Sequence, residues 1–200
     1  SPSWGLIKTN NSMTSRSYLL FQTFEYNIYM DSKRVNHAIR NYVESDLTVV
    51  LSKHREMYDQ FYHFRPVFMN YVEKHLMEFH QNHHLKKENL WIAEDQRQQF
   101  MGTVAIVQAD EDLAQLRWFL VDPSAQGKGV GRSLMKQAIQ FCKDHHYRHI
   151  FLWTAHQLHV ARYLYESFSF ACTERKENTE WSDELILEER YDLDLNHCLS

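Results

Sequence analysis

Phe119-Leu120-Val121-Asp122-Pro123-Ser124-Ala125-Gln126-Gly127-Lys128-Gly129-Val130-Gly131-Arg132-Ser133 decides how this chain is read. The stretch begins as an apolar strand, breaks at an Asp-Pro turn, passes three alternating glycines and enters a helix. From Val130 on, Leu134, Met135, Ala138, Ile139, Phe141 and Cys142 recur at helical spacing. A glycine loop between a strand and a helix start is a phosphate cradle. Its backbone can come close, several N–H groups converge, and the helix dipole favours an anion there. A Walker A loop would end Gly-Lys-Ser/Thr, but Arg132 precedes Ser133; a dinucleotide fingerprint would need Gly or Ala where Arg132 stands. What remains is Gln126-x-x-Gly129-x-Gly131 after a strand ending at Val121. The competing reading is an ordinary glycine-rich strand-to-helix turn.

Upstream, Leu113–Val121 is the last of three meander strands, after 90–94 and 100–107. Before them come a short strand at 37–43, a helix capped by Asp46 that runs to about His63, and a second helix from Pro66 to near His84. Downstream, Ile150–Thr154 reads as a buried strand, His159–Phe168 as a helix, and 170–177 with 185–195 as a closing hairpin. The order is strand, two helices, three strands, helix, strand, helix, two strands. Residues 1–36 form an aromatic N-terminal extension of uncertain order, a candidate surface for a homodimer or another partner. Met13 or Met30 could be a natural start.

The 200 residues fit one domain with an extension, and 44% apolar content allows a real core. The net charge of −4 and scattered basic residues give no nucleic-acid footprint. No apolar run is long enough for a membrane span, and the start lacks a signal peptide's succession of regions. The three cysteines, Cys142, Cys172 and Cys198, lack metal spacing and fit free thiols in a reducing, cytoplasmic setting. His80-x-x-His83-His84 and His145, His146 and His149 have ligand-like spacing. No Cys or carboxylate cluster accompanies them, so they read as helix ends and no metal is expected.

The element order and the glycine loop resemble the GNAT superfamily of N-acetyltransferases over about residues 37–195. The segment Ala161-Arg162-Tyr163-Leu164-Tyr165-Glu166-Ser167-Phe168-Ser169-Phe170 is similar to the family's A-x-x-x-Tyr-Glu-x-x-Gly-Phe stretch. Leu116–Pro123 and Phe151–Thr154 also look like the acetyltransferase half of MarR–GNAT fusions, although residues 1–36 contain no recognisable winged helix. The resemblance implies an α/β (α+β) fold: a mixed, mostly antiparallel sheet flanked by helices. It implies acetyl-CoA as cosubstrate and direct attack by a primary amine. Backbone groups of Phe119, Leu120 and Val121 would hold the pantetheine arm, one N–H polarising the thioester carbonyl. Gln126, Gly127, Lys128, Gly129, Val130 and Gly131 would wrap the pyrophosphate, with Arg132 and Ser133 adding a charge and a hydroxyl. Tyr165 would protonate the leaving sulfur; the alternative is a core tyrosine.

The family's usual basic Glu falls on Gln115, which cannot take a proton. Glu94, Glu111, His156, His159 or a water chain remain. Tyr58, Tyr62, Phe64, Trp118 and Trp153 are candidates to line the acceptor pocket, each equally readable as core. Ser169 stands where the family has Gly, and Leu158 where many members have Asn. A non-catalytic acyl-CoA-binding regulatory module is the alternative function. The acceptor, its acyl-chain preference and the oligomeric state cannot be read.

Overall fold

The structure, a computed structural model, describes residues 36–59, 63–84 and 86–196. The extension 1–35, Tyr62 and Cys198, which carried sequence expectations, lie outside the described residues. The strands are β1 (His37–Asn41), β2 (Asn89–Asp95), β3 (Phe100–Gln108), β4 (Leu113–Val121), β5 (His149–Ala155), β6 (Ala171–Asn178) and β7 (Ile186–Asp194). The helices are α1 (Asp46–Met57), α2 (Pro66–Asn82), α3 (Val130–Asp144) and α4 (His159–Ser167). The strands form one sheet in the order β1-β2-β3-β4-β5-β7-β6, antiparallel throughout except for the β4–β5 pair. The fold class read from the sequence is the one observed.

Each sheet face carries its own core. On one, Ala114, Leu116, Ile150 and Leu152 meet Leu134, Met135, Ala138 and Cys142 of α3 and Tyr165 of α4. On the other, Leu90, Ile92, Ala105 and Trp118 meet Leu47 and Val50 of α1 and Phe68, Val72, Leu76 and Phe79 of α2. Alternation puts Ala114 and Leu116 of β4 on the first face; a register shift after Arg117 sends Trp118 to the second.

One local expectation fails. Asp46 is not the N-cap of α1; Ser45 is, without a side-chain bond. The Asp46 carboxylate instead accepts from Arg40 at 2.7 and 2.9 Å and from the Val43 N–H at 2.7 Å, tying helix to β1. A strong ion pair thus displaced the cap. The α-helical part of α1 ends at Met57 and a π turn continues it over 58–59; residues 60–62, over which the sequence reading carries the helix, lie outside the described residues, and His63 has a left-handed φ of 50°. Phe64 and Trp118, offered as pocket residues, are 8% exposed and belong to the second core. Ser169 adopts φ 68°, the left-handed conformation in which glycine is unstrained.

Candidate active site

Strand β4 is held by β5 along only part of its length. Their register runs Leu113↔His149, Ala114↔Ile150, Gln115↔Phe151 and ends there. Beyond Gln115 the β5-facing edge of β4 has no strand partner, so a cleft opens between the two strands toward their C-terminal ends. On the β3 side, Ala105 pairs with Arg117 and Thr103 with Leu120, so Trp118 and Phe119 both stand opposite Val104. This is a β-bulge, with Trp118 at φ 46°. It re-aims the side chains. Trp118 turns to α2, its ring 5.4 Å from Phe79, while Phe119 and Val121 return to the α3–α4 face.

The glycine loop caps this open end. Asp122 anchors it: its carboxylate accepts from Ser124 N at 3.0 Å and Oγ at 2.6 Å, and pairs with Lys53 of α1 at 2.8 Å. Burial alone would raise the Asp122 pKa; Lys53 and Ser124 outweigh it and hold the carboxyl below the usual range. Gly127 and Gly129 take φ 71° and 83°. Gly131 is needed for closeness instead. A Cβ there would lie 3.2–3.4 Å from Leu164, Val121 and Phe119, so α3 presses on both β4 and α4. Helix α3 has Gly129 as N-cap with no side-chain cap, and its first backbone bond comes from Ser133 N. The N–H groups of Val130, Gly131 and Arg132 therefore lack helical acceptors. Those of Gly127, Lys128 and Gly129 make no bond among the described residues. Lys128, Arg132 and Lys136, with Gly129, Ser133, Asn36 and His37, line a groove of about 350 Å³ beside this turn.

At the cleft floor the Tyr165 ring is 5% exposed and lies 5.8 Å from Phe119 and 6.1 Å from Tyr191. Its hydroxyl makes no hydrogen bond among the described residues. Burial, reinforced by Tyr58, pushes the phenol well above its ordinary range, so it stays protonated. Among the described residues the sealed, partnerless side-chain atoms are Thr154 Oγ1 on β5 and Gln157 Oε1 in the turn that follows it.

The base candidates separate cleanly. Glu94 is committed to Arg40 at 2.9 Å. Glu111 sits in the β3–β4 turn, at the opposite end of β4 from the loop. His156 and His159 sit where β5 turns into α4, rings 5.7 Å apart. His156 Nδ1 lies 3.0 Å from Oε1 of Glu189, a carboxylate with no exposure that also meets Arg162 at 2.8 Å and Arg175 at 3.0 Å. Burial would raise the Glu189 pKa, but hydrogen bonds from His156 and Arg175 and the charge of Arg162 keep it low. The sequence offered no sign of Glu189, which reaches His156 from 33 residues away.

The histidine-rich helix ends bond backward: His83 Nδ1 to the Phe79 carbonyl at 3.1 Å, His145 Nδ1 to that of Phe141 at 2.8 Å. Among the described residues no group of three metal-ligand side chains converges. Cys142 is fully buried, and burial pushes its thiol pKa up, so it offers no nucleophile. No helix among the described residues is long and apolar enough to cross a membrane.

This geometry has known counterparts. A family model described as the acetyltransferase (GNAT) family matches residues 52–170. N-acetylaspartate synthetase from Xenopus tropicalis is 29% identical over 117 residues, 56% of this chain and 43% of that protein, so the chain spans less than half of that relative's length. Among solved structures, a GNAT-family acetyltransferase from Staphylococcus aureus superposes with a TM-score of 0.66 at 17% identity, covering 80% of this chain and 99% of that one. An acetyltransferase from Salmonella typhimurium with its cofactor acetyl-CoA gives 0.66 at 15%, over 82% and 96%. Spermidine N-acetyltransferase from Vibrio cholerae, with CoA and spermine, gives 0.66 at 18%, over 82% and 98%. At these identities the structural likeness is one of fold.

Proposed function

Because the chain belongs to the acetyltransferase (GNAT) family, we propose that it transfers an acetyl group from acetyl-CoA to a primary amine, with the splayed end of β4 as its active site. The observation that carries this is the end of β4–β5 pairing at Gln115↔Phe151, immediately before a loop rich in free N–H groups. Acetyl-CoA supplies an activated acetyl group as a thioester. The chain's residues fit such a ligand: the cradle of Gln126–Ser133 and its lysines suit phosphates, and the unpaired edge of Phe119–Val121 suits an extended amide chain. Thr154 Oγ1 and Gln157 Oε1 are buried polar atoms that lack partners among the described residues. The Gln126 side chain donates to the Val121 carbonyl at 3.3 Å, so it must swing aside for that carbonyl to take a ligand amide.

Tyr165, held protonated, donates to the leaving sulfur. His156 takes the proton from the amine through Nε2, because Glu189 fixes Nδ1–H toward itself. A backbone N–H of the bulged segment faces the developing negative oxygen. The fusion-like motifs at Leu116–Pro123 and Phe151–Thr154 and the free thiols fit the same reading, in a cytoplasmic enzyme acting on a small-molecule or peptide amine. The regulatory-module alternative draws support from Gln115, but it leaves unused the Tyr165 hydroxyl, which makes no hydrogen bond among the described residues, and the His156–Glu189 pair.

The test is thiol release from acetyl-CoA with a pooled amine library, on wild type, Tyr165→Phe and His156→Gln. Tyr165→Phe lowers kcat by roughly 100-fold and leaves the acetyl-CoA dissociation constant unchanged. His156→Gln likewise lowers kcat by roughly 100-fold with acetyl-CoA affinity unchanged. Unchanged kcat in Tyr165→Phe would overturn the assignment of the acid.

A further inference from the structure

Four arginines among the described residues are half-buried: Arg40, Arg117, Arg162 and Arg190. Three of them hold carboxylates: Arg40 on Asp46 at 2.7 Å, Arg162 on Glu189 at 2.8 Å and Arg190 on Asp192 at 2.8 Å. Among the described residues Arg117 makes no ion pair; Glu78 of α2, which pairs with Lys74, acts on it only as a nearby charge. Its guanidinium lies 4.8 Å over the Trp118 ring, 5.9 Å over Tyr71, and 3.5 Å from the Tyr71 hydroxyl. Burial pulls its pKa down. An arginine cannot give up its proton in a protein, so a partly desolvated guanidinium calls for an anion.

Its position says where that anion would come from. Arg117 is the second residue past the end of the β4–β5 pairing, directly before the bulge. Its contacts place it on the α2 face of the cleft. Tyr71, 43% exposed, borders it there, with Trp181 of the β6–β7 turn 6.0 Å from the Tyr71 ring. Phe151 and Trp153 stand across the gap on β5. They are covered by Arg190 at 4.2 Å and Lys176 at 4.3 Å, cations already paired with Asp192 and Glu188, so Arg117 is the charge there without a salt bridge among the described residues. Pyrophosphate cannot be the anion, because the cradle that suits it lies past Val121 beside α3, on the other face.

We propose that Arg117 binds a carboxylate of the acceptor, so that the amine acetylated here belongs to an amino acid or similar anionic amine and not to a polyamine. This rests on the acetyltransferase reading above, with Arg117 as a positioning residue for the acceptor. A guanidinium grips a carboxylate through two parallel N–H···O bonds, and the aromatic rings beneath hold its plane. A polycation would instead meet the like charge of Arg117.

Two readouts separate the proposal from the reaction itself. The first is quenching of tryptophan fluorescence in the full chain with CoA present, titrated with aspartate, leucine, the amides of both, and spermidine, on wild type and Arg117→Met. At least one acid binds saturably and at least tenfold tighter than its own amide, and Arg117→Met loses that preference while keeping acetyl-CoA affinity. The second is thiol release with the same panel: Arg117→Met raises KM for the acid at least tenfold and leaves kcat within about twofold, and Arg117→Lys restores part of the loss. Equal binding of acids and amides, tighter binding of spermidine, or no saturable binding of any acid overturns the proposal. The acetyl-CoA reading survives each of those results, and falls only if acetyl-CoA itself does not bind.

Discussion

Leu113–Gln115 and Trp118–Val121 belong to one strand, yet they do different work. The first segment is paired on both sides, with β3 and with β5. The second keeps β3 but loses β5, carries a bulge, and ends at a loop whose N–H groups are unspent. The paired part is spent on stability and the open part is available for ligand. The difference is set by the neighbours: α3 and α4 wedge against Phe119 and Val121 through Gly131, where a side chain would not fit without displacing them.

Gly102 and Gly129 put that division to its harshest test. Gly102 lies on β3 opposite Val121, and a Cβ there would lie 2.7 Å from the Leu120 carbonyl oxygen, a backbone atom that cannot yield. Gly102→Ala is expected to destabilise by about 3 kcal/mol, read by urea denaturation. A next effect concerns His54, 3% exposed beneath α1 on the closed side. Burial lowers its pKa from 6.5 to about 4, with a smaller opposing pull from the Val50 carbonyl. The unfolded chain then binds the proton first as pH falls, so the stability contributed by neutral His54 is present above 6.5 and is lost toward 4. Between neutral pH and pH 5 the loss is about 2 kcal/mol, and His54→Leu should flatten that dependence of the melting temperature.

Gly129→Ala should do the opposite of Gly102→Ala. No atom lies within 4 Å of the added Cβ, so the cost is only that of φ 83°, about 1–2 kcal/mol. The larger consequence falls on acetyl-CoA affinity, whereas Gly102→Ala costs mainly stability and reaches affinity through the displaced Leu120 and the folded fraction. If both variants lost stability and affinity in proportion, the division of β4 would be wrong. The smallest effect is a gain. Ser169→Gly relieves φ 68° at the α4 exit and should stabilise by about 1 kcal/mol, with turnover unchanged.

Local periodicity made the elements legible. Leu113–Val121, the helix start at Val130 and the helix start at His159 fall where the sequence reading put them, and the glycine loop stood out because its conformation needs those residues. What escaped was non-local. The bulge at Trp118–Phe119 inserts one residue into a run that alternates with or without it. Asp46 looked like a cap until Arg40 was beside it. Of the four base candidates, only the fold could show that Glu94 is engaged, Glu111 is at the wrong end of β4, and His156 has Glu189 behind it. Arg117 did leave a sign, a lone charge within the otherwise apolar Leu116–Val121, but an exposed strand face would have explained it equally well.

The account's central claim is that the open end of β4 and its glycine loop receive acetyl-CoA. Calorimetric titration of the full chain with acetyl-CoA, beside a Gly129→Glu variant whose circular dichroism matches wild type, tests it most directly. The account predicts one-to-one micromolar binding by the wild type and none by the variant, whose carboxylate projects from the mouth of the phosphate cradle. No binding by the wild type, or equal binding by both, would contradict it.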